Sequence, residues 1–149
     1  MRFALFLIPL LLPVLAQGVR TGITPKEAEA LLKAASYRYE RVEEGGEVYF
    51  RLRLAGLQAL LLLMDCEKEV CSSLQLYAGF SMKKPPSLER INAWNREKRF
   101  SRAYLDKDGD PVLEWDLDLE GGVTDGAIKA FLDLFEESLR AFASWIGFD

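Results

Sequence analysis

Cys66 and Cys71 are the only cysteines of the chain, and they flank Glu67 to Val70 at the tip of an expected hairpin. A four-residue loop sets the two side chains opposite each other, so in an oxidising compartment a disulfide is the simplest chemistry for them. The closed loop is short, and the bond should brace the hairpin locally. The spacing does not suit a C-x-x-C redox centre, and zinc would need two more good ligands in a sequence without histidine. The same lack removes the commonest general base near neutral pH and excludes Ser-His-Asp and Cys-His arrangements. No catalytic, metal-ligating or cofactor-binding set is expected, although carboxylate or lysine chemistry stays open.

The acids are patterned in ways that favour structure. Glu114, Asp116 and Asp118 recur at period two along one strand, so they share a face and solvate it. A paired-carboxylate glycosidase needs two acids across a cleft, and nothing in the pattern locates one. Asp106-Lys107-Asp108-Gly109-Asp110 invites a calcium reading, but an EF-hand wants glycine at position six and glutamate at twelve. Counted from Asp106, those places hold Pro111 and Leu117. A hairpin turn is the better reading, with Gly109 supplying the positive backbone angle.

The densest candidate binding surface is Asn92, Trp94, Asn95, Arg96, Arg99, Arg102 and Tyr104. It combines rigid aromatic area, amide hydrogen bonds and guanidinium groups, the composition of protein interfaces. The competing reading puts Trp94 in the core and uses the asparagines to cap local backbone. Around this stretch the charge is uneven. Lys83 to Arg102 is predominantly basic, whereas Asp106 to Asp125 is acidic with Lys107 as its only base. Two such segments neutralise each other in the fold or orient a partner.

These residues need elements to position them. Thr24-Pro25-Lys26-Glu27 is a capping box with proline at the first helical position, followed by apolar Ala28, Leu31, Leu32 and Ala35. Alternation predicts strands near 47–54, 57–65, 70–79, 101–106 and 111–119. Helices are expected near 24–36, 87–97 and 124–146, the last with a broad apolar stripe from Ile128 to Ile146. The expected fold is α+β, in α-β-β-β-α-β-β-α order. Its five-stranded antiparallel sheet has one dry face that the helices must cover.

The N-terminus supplies an address. Met1-Arg2 precedes an apolar run from Phe3 to Leu15, and Val14-Leu15-Ala16 ends it with a small residue before Gln17. That is the plan of a secretory signal peptide. Thirteen residues are too few for a spanning helix, which takes about 20. Residues 1–16 are thus expected to be a cleaved signal and 17–149 a single domain, exported to the periplasm or beyond, with no stable membrane insertion afterwards. Cleavage leaves 133 of the 149 residues and, by removing Arg2, changes the net charge from -4 to -5. This mild acidity argues against nucleic acid as a partner.

One stretch resembles a known family. Asn92, Trp94 and Asn95 match the N-x-W-N pattern of the YbjN family, and Arg99, Phe100 and Tyr104 match its R-F-x-x-A-Y pattern. Ser101 stands where glycine is common. The similarity covers about Thr24 to Phe142 and is most specific between Ile91 and Val123. It implies a fold similar to type III secretion chaperones and a role as a bacterial sensory transduction regulator, without an agreed catalytic residue set. The function expected is therefore a non-enzymatic protein- or peptide-binding module of the cell envelope, regulatory or chaperone-like, with a homodimer as one form. A carboxylate-dependent hydrolase and a purely structural envelope protein are the alternatives.

Overall fold

The computed structural model describes residues 18–148, so the expected signal segment lies outside the described residues. A two-residue strand, β1 (Val19–Arg20), leads into α1 (Pro25–Ala34), and four strands follow: β2 (Tyr39–Glu44), β3 (Glu47–Leu54), β4 (Leu57–Glu67) and β5 (Val70–Gly79). Next come α2 (Leu88–Glu97), β6 (Arg102–Leu105), β7 (Pro111–Asp118), β8 (Val123–Thr124) and α3 (Asp125–Ile146).

The helix starts form as their residues dictate. Thr24 N–H donates to Glu27 Oε2 at 2.8 Å while Glu27 N–H donates to Thr24 Oγ1 at 3.3 Å, the reciprocal capping box. Ser87 and Thr124 cap α2 and α3 through the backbone N–H groups of Arg90 and Ala127, each at 3.1 Å. The Asp106–Asp110 segment is the expected hairpin turn. Asp106 Oδ1 accepts from the N–H groups of Asp108 and Asp110, both at 2.9 Å, and Gly109 has φ 86°.

The main sheet is antiparallel and runs β2-β3-β4-β5-β7-β6. Six strands stand where five were expected. The extra one, β2, reads Tyr-Glu-Arg-Val-Glu-Glu and carries no apolar alternation. It is an edge strand whose inward side is mixed: Tyr39 packs edge-on against Phe50, with ring centroids 5.9 Å apart, and both Tyr39 and Arg41 reach Glu29 of α1. A second departure is the β1–β8 ribbon, in which Val19 opposes Thr124 and Arg20 opposes Val123. The fold class and all three helices agree with the sequence reading, but the strand number and the full element order do not.

One face of the sheet is dry. Phe50, Leu52, Leu54, Leu61, Leu74, Leu76 and Leu113 are buried with Ile128, Phe131, Phe135, Leu139 and Phe142 of α3 in a single core cluster. Burying each such side chain contributes about 1.5–3 kcal/mol. On the opposite face most of the alternate residues are polar, half-buried or exposed, with Val112 a buried exception. No helix among the described residues is long and apolar enough to cross a membrane.

Candidate functional site

The segment from Asn92 to Tyr104 spans the end of α2, a short connection and β6, and it divides into a fixed frame and an exposed turn. Trp94 belongs to the frame. It is 1% exposed and packs edge-on against Phe142 and Trp145 of α3, with ring centroids 5.0 and 5.8 Å apart. Its place on the expected binding surface is therefore corrected. Ile91 and Trp94, one turn apart, are the buried face of α2 and must close the core beside α3.

Asn95 completes a sheet edge. Its Nδ2 donates to the Ala103 carbonyl at 2.9 Å, and Ala103 N–H donates to its Oδ1 at 2.8 Å. The carboxamide stands where a further strand would pair, which blunts the free edge of β6. Arg102 and Tyr104 hold the other side of that strand. Arg102 Nε and Nη2 donate to Glu114 Oε2 at 2.9 and 2.6 Å, and Nη2 reaches Asp116 at 3.2 Å. Tyr104 OH donates to the second Glu114 oxygen. The Glu114 side chain is 8% exposed, so its charge is matched by these donors instead of water. Burial first, and then the Glu114 carboxylate, raise the Tyr104 pKa above its ordinary value and keep the phenol protonated as a donor. Here one base of the basic segment, Arg102, meets two carboxylates of the acidic one.

The turn between these anchors faces outward. Asn92, Arg96 and Arg99 are exposed, and Arg96 pairs with adjacent Glu97 at 3.0 Å. Phe100 is the residue that pattern reading left out of the surface. It is 52% exposed, lies at φ 74°, and stacks on Trp115 with centroids 5.1 Å apart and planes 22° from parallel. The Arg99 guanidinium carbon lies 4.8 Å from the Phe100 ring centroid. A bulky aromatic in the left-handed region costs about 1–2 kcal/mol relative to glycine. No residue pattern signals that backbone angle. Trp94 Nε1 and Ser101 Oγ, both buried here, have no hydrogen-bond partner among the described residues.

The helix carrying the turn is clasped at its other end. Arg90 lies 3.8 Å over the Trp145 ring and donates to the Trp145 carbonyl at 3.1 and 3.2 Å, while Trp145 Nε1 donates to the Arg90 carbonyl at 3.1 Å. The arrangement presents an aromatic and a guanidinium on a rigid support, suited to docking a polypeptide surface.

The cysteines lie at the tip of the β4–β5 hairpin. Cys66 and Cys71 face each other in the β4–β5 register and are joined by a disulfide, with Cα atoms 3.9 Å apart. Cys71 also exchanges two backbone hydrogen bonds of 2.9 Å with Ile23. An open cleft of about 1290 Å³ lies between this hairpin, the start of α1 and the β2–β3 turn. It is lined by charges of both signs, among them Lys26, Arg41, Lys68, Glu43 and Glu69.

Residues 24–148 match a protein-family model described as "Putative bacterial sensory transduction regulator". Among curated proteins, none matches the chain.

Proposed function

The chain belongs to the YbjN family, and from that premise we propose that it is a non-enzymatic, regulatory protein- or peptide-binding module of the bacterial cell envelope. The observation that carries this reading is the Arg99-Phe100 turn. An exposed ring is held at a positive φ while its neighbours Trp94, Asn95, Arg102 and Tyr104 are spent on fixing the backbone around it. Strain of this kind persists where the surroundings enforce it and clusters at ligand clamps; Ser36, Ala55, Asp65 and Lys68 share a positive φ, and Phe100 is the aromatic member of that set. An aromatic and an arginine at the centre of a rigid patch are the usual anchors of a protein interface.

Export with removal of residues 1–16 belongs to the same proposal. The Cys66–Cys71 disulfide supports it, because such bonds persist outside the reducing cytoplasm. The likeness to type III secretion chaperones is part of the reading as analogy: helices on one face of an antiparallel sheet leave surface for a client. The partner suited to the turn has an apolar pocket for Phe100 beside carboxylates for Arg96 and Arg99.

A photo-crosslinking phenylalanine analogue placed at residue 100 tests this in intact cells. Discrete protein adducts are expected at 100 and none at exposed Glu137 of α3, which serves as the control position. Equal adduct yields at both positions would remove the turn as the binding site.

A further inference from the structure

The sheet face turned away from the helices carries a charge pattern complementary to itself. Glu40, Arg51, Leu60, Tyr77, Glu114 and Arg102 lie side by side in one row across the six strands. From β2 to β6 the row reads negative, positive, apolar, aromatic, negative, positive. A two-fold axis parallel to the strands, between β4 and β5, reverses that order. It lays the Glu40–Arg51 ion pair of one copy, 3.3 Å long, over the Arg102–Glu114 ion pair of the other, and Leu60 over Tyr77. Each intramolecular pair then faces a pair of reversed order, so opposite charges lie across the contact, and the apolar centre meets itself.

From this juxtaposition we propose that the outer sheet face is the interface of a homodimer, two copies packed sheet on sheet about that axis. Each copy contributes the same patch, as a closed two-fold contact requires. Aligned sheets pack about 10 Å apart, which suits a central strip of leucine and tyrosine. Along β4 the strip continues through half-buried Leu62 to Met64, which is 40% exposed. Next to Glu114, Asp116 is held by Gln75 at 2.7 Å and Arg102 at 3.2 Å but stays 47% exposed, so it offers Arg51 of the other copy a second carboxylate. Six strands about 4.8 Å apart, with the 8-residue β3 and β7 about 26 Å long, give a face of about 600 Å² in projection, approaching the roughly 800 Å² per partner found in stable interfaces. Phe100 stacks on Trp115 of the helix-covered face, so its turn stays free in the dimer. Arg102 belongs both to the support of that turn and to this row, but the tested positions, Arg51 and Asp116, lie outside the turn, so the two proposals fail separately.

The test reverses charges at two exposed positions. Arg51 and Asp116 have side chains 43% and 47% exposed, so substitution there leaves the core intact. The full chain recovered from the envelope is expected to sediment at equilibrium as two copies. Arg51→Glu alone, or Asp116→Arg alone, sets like charges together twice in each homodimer and weakens self-association by about tenfold or more. Mixing the two variants restores dimers, because both Arg51–Asp116 contacts of the mixed pair are attractive. A merely structural role for either residue gives no such rescue. A monomeric wild type at about 100 μM, above the range of specific interfaces, overturns the proposal, as does a dimer that neither reversal weakens. Single reversals that weaken the dimer without rescue on mixing also contradict it, by locating the contact elsewhere.

Discussion

Asn95 and Ser101 illustrate how differently two polar residues of one motif act. Asn95 spends both ends of its carboxamide on Ala103. Asn95→Ala strands one backbone donor and one acceptor at a part-buried edge and should destabilise the protein by about 1–3 kcal/mol in urea denaturation. Asn95→Asp keeps the acceptor but sets a carboxylate against the Ala103 carbonyl, so it should recover little of the loss. Wild-type stability in either variant would show that the edge needs no cap. Ser101 is the opposite case, since its buried hydroxyl is unmatched among the described residues. Ser101→Ala should be neutral or stabilising by about 1 kcal/mol. The sequence did offer local capping as an alternative role for Asn95. It did not reveal that the capped group belongs to β6, because that contact depends on how α2 docks. The burial of Trp94 was closer to hand, since Ile91 and Trp94 have the spacing of a helix face.

Among the elements, those with a strong period were readable and those without one were not. The alternation in β3 and β7 and the stripe of α3 located these elements to within a residue or two. β2 escaped because this edge strand, Tyr-Glu-Arg-Val-Glu-Glu, has no apolar alternation, and β1 and β8 because two residues have no period. The disulfide was legible because its position followed from the hairpin. Replacing both Cys66 and Cys71 by serine should cost at most about 2 kcal/mol, the entropy of so short a loop. Amide exchange should accelerate between residues 65 and 72 and stay unchanged in α3; acceleration throughout would mean that the bond supports the whole fold.

The ribbon joining β1 to β8 has its own pH response. Arg20 Nε donates to Asp125 Oδ1 at 2.5 Å, and this hydrogen bond, with the attached charge, holds the carboxyl below its ordinary 3.8. A depressed folded-state pKa gives stabilisation that is present above the unfolded value and is lost as pH falls through the folded one. The Asp125 carboxyl carbon should therefore titrate below 3.8 by NMR, and Arg20→Ala should return it toward that value. A wild-type midpoint at or above 3.8 would show that the pair does not hold the ribbon.

For the molecule as a whole, helices close one sheet face and leave the other open, while the α2–β6 turn displays Phe100 at the margin. Composition made the absence of histidine chemistry and the mild acidity legible. The division of the motif into support and display was not, because it rests on one backbone angle. That division is the central claim, and Phe100→Gly tests it most directly. Glycine relieves about 1–2 kcal/mol of backbone strain. It forfeits about 0.5–1.5 kcal/mol of stacking on Trp115 and about 1 kcal/mol of partial burial. Stability should thus stay within about 1 kcal/mol of wild type. The decisive measurement is partner recovery by this variant from envelope extract, against wild type at equal folded concentration. The account predicts loss of the partner from a protein that remains folded; undiminished recovery would contradict it.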